Sequence, residues 1–147
     1  MDGLHPPRES RFPREDDKAV VLRGESHGIR VLLLSDLGKA GQAELVAASK
    51  DLRADVVVTG LPSEGEPLTE DLLAAVRARL IVVNDARFPS SARLPSRVRD
   101  RLAAAGAPVF CTSDGEPGAC ALKFSARGWE LLVDGSRRYS GQARLAH

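Results

Sequence analysis

At 147 residues the chain has the length of one domain, which buries roughly 68–70% of its unfolded surface. A hydrophobic content of 43%, a charged content of 28% and a net charge of +1 are those of a globular protein and exclude a globally basic nucleic-acid binder, leaving only a local cationic patch open. Aromatics at 4% argue against stacking platforms for single-stranded nucleic acid, and no apolar run nears the roughly 18 residues of a membrane span.

Pro6, Pro7 and Pro13 among mixed charges make residues 1–17 an irregular lead-in, with at most a short extended piece near Leu4. Residues 18–23 read as a strand, Gly24 to Gly28 as a turn, and 29–35 as a returning strand, which together make a hairpin. Within the second strand Val31, Leu32, Leu33 and Leu34 are consecutive apolar residues, the pattern of a strand buried on both faces. The run ends in Ser35, Asp36, Leu37 and Gly38, which sets a carboxylate at the rim of a sheet.

A helix follows over 40–49, with Ala43, Val46 and Ala47 at helical spacing, then a short strand over 55–59. Thr69 is placed to cap the next helix, Glu70 and Asp71 suit its positive N-terminus, and Leu72, Leu73 and Val76 form its apolar face. The strand at 80–83 ends in Asn84 and Asp85. Ser96 is placed to cap a third helix carrying Val98, Leu102 and Ala105, with Gly106 at its end. Strands at 109–112, 119–124 and 129–133 complete the order β-β-α-β-α-β-α-β-β-β, with a turn at Gly115, Pro117 and Gly118. The expectation is an α/β (α+β) fold, a mixed sheet with helices packed on it. One domain occupies 18–134, and 135–147 forms a loose tail.

Six strings in order resemble the C-terminal half of a metallo-β-lactamase-fold domain, most closely the one that ends ComEC-type competence proteins, the membrane channels of bacterial DNA uptake. They are Leu4-His5-Pro6-Pro7, the acidic-to-apolar run 16–23, the run 31–36, and the segments 52–60, 76–80 and 101–109, which span most of residues 4–125. The resemblance implies half of a four-layer αββα sandwich whose ancestral metal is zinc or manganese. Asp36 takes the place of the family's bridging aspartate, with Ser35 where glycine is usual. The family's first histidine motif has no counterpart here. Leu61, Pro62 and Ser63 stand where a His-His-Gly string is expected, and 87–95 lacks a later histidine.

A catalytic zinc needs about three converging protein ligands. His5, His27 and His147 are the only histidines, and none is paired at metal-ligand spacing, so no cofactor is expected. Asp36 then reads as a helix or turn cap, or else as a relic ligand; Asp85 is a minor oxygen-ligand candidate beside Asn84 for Mg²⁺ or Ca²⁺. Cys111 and Cys120 are too few for a disulfide framework and read as free buried thiols in a reduced, cytoplasmic setting, against a disulfide between adjacent strands. No nucleophile elbow or phosphate-binding loop is present.

Seven arginines against two acids lie between Arg77 and Arg101. Arg97 and Arg101 are one helical turn apart, and with Arg93 they form the candidate contact to a DNA backbone, against the plainer reading of a solvated face. The functional expectation is a non-catalytic, truncated metallo-β-lactamase-like interaction or scaffold module that contacts DNA. The alternative is half of a split metal-dependent nuclease or phosphodiesterase whose histidines lie on another chain. A half-sandwich leaves an apolar face bare, so a homo-oligomer or a partner chain is expected to cover it. Inner-membrane association is expected only through a partner, or through an upstream region if the chain is a fragment of a channel protein.

Overall fold

A computed structural model of the protein describes residues 2–5, 19–114 and 120–143. Six strands form one sheet in chain order: β1 (Asp2–His5), β2 (Val21–Ser26), β3 (Ile29–Leu33), β4 (Val56–Thr59), β5 (Leu80–Val83) and β6 (Val109–Cys111). The first three strands are antiparallel, and β3 to β6 run parallel. Between the parallel strands lie α1 (Lys39–Ala48), α2 (Glu70–Val76) and α3 (Ser96–Ala103). Because strand order follows chain order, crossovers of one hand bring all three helices to the same face.

The hairpin between β2 and β3 turns on His27 and Gly28, at φ 53° and 74°. Positive φ at both central residues is the tight turn whose twist suits paired strands. Alternate residues of the apolar runs then face opposite ways. Leu32, Val57, Ile81, Val83 and Val109 pack with Leu45, Leu72, Val76, Val98 and Leu102 of the helices. Ile29, Val31, Val56, Leu80, Val82 and Phe110 fill the other face.

That second face is not bare. A three-stranded antiparallel sheet, β7 (Cys120–Ser125), β8 (Gly128–Val133) and β9 (Ser136–Gln142), lays Trp129 and Leu131 on it, with Leu122, Phe124, Val133 and Tyr139 around them. The expectation of a bare apolar face is corrected, because the chain's own C-terminal strands cover it. The expected loose tail is corrected with it. Residues 136–142 pair with β8 through a turn at Asp134 and Gly135, at φ 51° and 80°.

The three expected helices and the strands they connect are present with shifted edges. Residues 2–5 of the lead-in form an edge strand, while 6–17, the turn at 115–118 and His147 fall outside the described residues. Helix α1 buries Gly41, Gln42 and Leu45, and leaves Ala43 and Ala47 exposed. Pro95, not Ser96, stands at the N-cap of α3. Among the described residues no helix is long and apolar enough to cross a membrane.

Candidate functional site at the strand-end rim

The C-terminal ends of parallel strands are where open sheets with helices gather polar residues. Here that rim collects Ser35 and Asp36 after β3, Thr59 and Gly60 at the end of β4, Asn84 and Asp85 after β5, and Thr112 to Asp114 after β6. Ser35 adopts φ 50°, a conformation that favours glycine. Its Oγ donates to the Val20 carbonyl at 2.9 Å, and its own carbonyl accepts from Gly60 N at 2.7 Å and Thr59 Oγ1 at 3.4 Å.

Asp36 is exposed and lies against Gly60. It caps no helix: Gly38 stands at the N-cap of α1, and that cap has no side-chain hydrogen bond. The N-terminal turn of α1 is tied instead by Gln42, 1% exposed, whose Nε2 donates to the Leu37 and Glu66 carbonyls at 2.9 and 3.0 Å. Gln42 Oε1 accepts from Thr69 N at 2.7 Å, which joins α1 to the start of α2.

Asp85 has a backbone-closing role. Its Oδ1 accepts from Ser113 N at 3.0 Å and its Oδ2 from Leu94 N at 2.9 Å. Thr112 Oγ1 accepts from Asp85 N at 2.9 Å and donates to the Asp85 carbonyl at 2.7 Å. Asp114 takes Arg99 in a two-pronged pair, both N–O distances 2.7 Å, and also accepts from Cys111 N at 3.1 Å. That guanidinium holds the Asp114 carboxyl below the usual carboxylate range. Burial pushes the Cys111 thiol up to about 11. Both cysteines are free, Cys111 buried and Cys120 exposed.

Two of the rim carboxylates are committed to the fold. Asp85 and Asp114 already spend their oxygens on backbone N–H groups and Arg99, and buried Pro62 with half-buried Leu61 follow β4. Among the described residues no three His, Cys, Asp or Glu side chains cluster as metal ligands. His27 lies in the exposed hairpin turn and His5 is buried in β1.

The arginines between 77 and 101 are dispersed by the fold. Arg79 serves the opposite end of the sheet, where it meets buried Asp55 at 3.5 Å and stands over the Trp129 ring at 6.0 Å. Arg99 is committed to Asp114. Arg101 is largely buried and donates to the Leu68 and Pro67 carbonyls at 2.8 and 3.0 Å. Arg97 pairs with Glu66 at 2.7 Å but remains 79% exposed. Arg93 is exposed, beside a cleft of about 510 Å³ lined also by Asp85, Leu94, Arg99 and Cys111. Of the three candidate DNA contacts, Arg93 and Arg97 therefore offer their charge outward, and Arg101 fastens α3 to the loop before α2.

Sequence reasoning missed Gln42, because a glutamine inside a helical run carries no sign of which way it faces. It also missed the Arg99–Asp114 pair, whose partners lie on separate elements. No protein-family model, curated protein or solved structure matches the chain.

Proposed function

We propose that the chain is a non-catalytic metallo-β-lactamase-like domain, related to the one that ends ComEC-type DNA-uptake proteins. It works as an interaction module whose Arg93 and Arg97 edge meets the phosphate backbone of DNA. The observation that supports this reading is the occupation of the strand-end rim: Asp85 and Asp114 bind backbone N–H groups and Arg99, and Leu61 and Pro62 follow β4 where the resemblance expects histidines. Carboxylates held by backbone N–H groups and Arg99 are not free to serve as the converging ligands that metal-dependent hydrolysis requires. The outward charge of Arg93 and Arg97 suits phosphates, each neutralised phosphate adding a salt-dependent increment of affinity.

Retention of the protein on immobilised duplex DNA at low salt tests the DNA contact. The double variant Arg93→Glu, Arg97→Glu is expected to elute at clearly lower salt than the wild type. An unchanged elution position removes the contact.

One observation favours a second reading, half of a split metal-dependent nuclease completed by another chain. Asp36 is exposed at the rim and caps nothing, so its carboxylate is presentable to ligands from elsewhere. Stoichiometric zinc or manganese in the purified chain, together with phosphodiester cleavage, would replace the first reading with this one.

A further inference from the structure

Phe88 is 86% exposed, and with Val20 it is one of two large apolar side chains that stand in solvent among the described residues. The loop that carries it is tied, not slack. Asp85 binds Leu94 N and Ser113 N at the neck. Ala86 N donates to the Ala92 carbonyl at 2.8 Å, and Ala92 N to the Pro89 carbonyl at 2.9 Å, closing the short turn Ser90–Ala92. Arg87 Nε is anchored on the Ser113 carbonyl at 3.0 Å. An aromatic ring is thus held outward by a hydrogen-bonded frame, although burial would lower its free energy.

The loop that carries the ring is cationic. Arg87 and Arg93 are exposed on the same loop, and Arg97 is 79% exposed on the first turn of α3. Of the acids around it, Asp85 and Asp114 already hold backbone N–H groups and Arg99, Glu66 pairs with Arg97, and Asp100 is exposed on α3, so Arg87 and Arg93 carry most of the charge left to the loop. A flat apolar ring among arginines complements a ligand with flat apolar faces joined by anions. Bases in a duplex are stacked on one another, so only an unpaired base offers its face to such a ring.

We propose that residues 86–93 form a single-strand contact in which Phe88 stacks on an unpaired base and Arg93 and Arg97 hold the flanking phosphates. This rests on the DNA-contact reading above and adds to it a preference for single strands. The scarcity of aromatics limits the contact to one stacked base, so the preference is modest and depends on a single side chain.

The test is fluorescence anisotropy at low salt, with a labelled thymidine oligomer of about 20 nucleotides and a duplex of about the same length, read for wild type and variants. Phe88→Ala is expected to weaken single-strand binding about fivefold or more, the low end of base–aromatic stacking, and to leave duplex binding unchanged. Phe88→Trp is expected to retain it, and Arg93→Glu to weaken both ligands. Since Phe88 is exposed, unfolding midpoints equal to wild type are expected for both Phe88 variants. Single-strand affinity unchanged in Phe88→Ala overturns the loop contact and leaves the duplex reading standing. No binding of either DNA by the wild type overturns both. Phe88-dependent binding to phosphatidylglycerol vesicles, with no single-strand binding, overturns the nucleic-acid assignment in favour of an anionic surface.

Discussion

Asp36 lies directly over Gly60: a Cβ on Gly60 would sit 1.8 Å from Asp36 Oδ1 and 3.0 Å from Asp36 Cγ. The glycine is needed for space rather than for backbone freedom, and the Gly60 N to Ser35 carbonyl hydrogen bond at 2.7 Å fixes the approach. The ends of β3 and β4 are therefore coupled through one carboxylate and one missing methyl group. Because the clash is with the tip of an exposed carboxylate that can turn away, Gly60→Ala is expected to cost no more than about 1 kcal/mol. Asp36→Ala alone, at an exposed position, is expected to stay within about 0.5 kcal/mol of wild type. The double variant recovers most of the Gly60→Ala loss, a coupling that urea denaturation measures; strictly additive effects would contradict the contact.

Asp85 closes the neck of the Phe88 loop with two backbone hydrogen bonds. Removing the acceptor leaves both N–H groups without it, so Asp85→Ala is expected to destabilise the protein by about 2–4 kcal/mol. Asp85→Asn, which keeps one carbonyl oxygen, falls between. Limited proteolysis should cut the loop faster in Asp85→Ala; a cleavage rate equal to wild type would detach Asp85 from loop order.

The Arg99–Asp114 pair sets part of the acid limb of stability. Arg99 holds the folded-state Asp114 carboxyl below its ordinary value, so the unfolded chain binds this proton more readily. The contribution is complete above about pH 4 and is lost as pH falls through the folded value. Asp51, held low by Arg53 and Arg30, acts in the same direction. Stability of Arg99→Met is therefore expected to fall less steeply than wild type below about pH 4, with the remaining slope carried by Asp51. Parallel curves would show that the pair carries no linked proton.

Cys111 is 1% exposed and its thiol is pushed up to about 11 by burial, whereas Cys120 is exposed. Thiol titration of the native protein at about pH 8 should count one fast-reacting group, and two after unfolding. Two fast groups before unfolding would mean that the edge at β6 opens freely.

Much of the fold was legible because the signals were local. The run from Val31 to Leu34 requires apolar partners on both faces, and it has helices on one and β8 on the other. The Gly-bounded polar stretch 24–28 between two apolar runs made the first hairpin readable, although Gly24 to Ser26 extend β2 and only His27 and Gly28 turn. Asp134 and Gly135 carried an equally strong turn signal, but residues 136–142 are too polar to announce a strand, since β9 is mostly exposed. The site was harder to read. Seven arginines close in sequence separate in space because strands and helices send neighbours to opposite ends, as Arg79 and Arg97 do. Asp36 read as a cap because aspartate before a helix usually is one; Gly38 holds that position. Phe88 was visible as an aromatic in an arginine- and serine-rich loop, but its exposure depended on the loop's frame.

Whether the domain binds DNA without cutting it, as proposed, is read from one gel. Labelled DNA is incubated with the full chain at low salt in added manganese, then run native. Retarded DNA of undiminished length is expected, with less retardation for Arg93→Glu, Arg97→Glu. Shortened DNA, or DNA that runs unretarded at every protein concentration, would contradict the proposal.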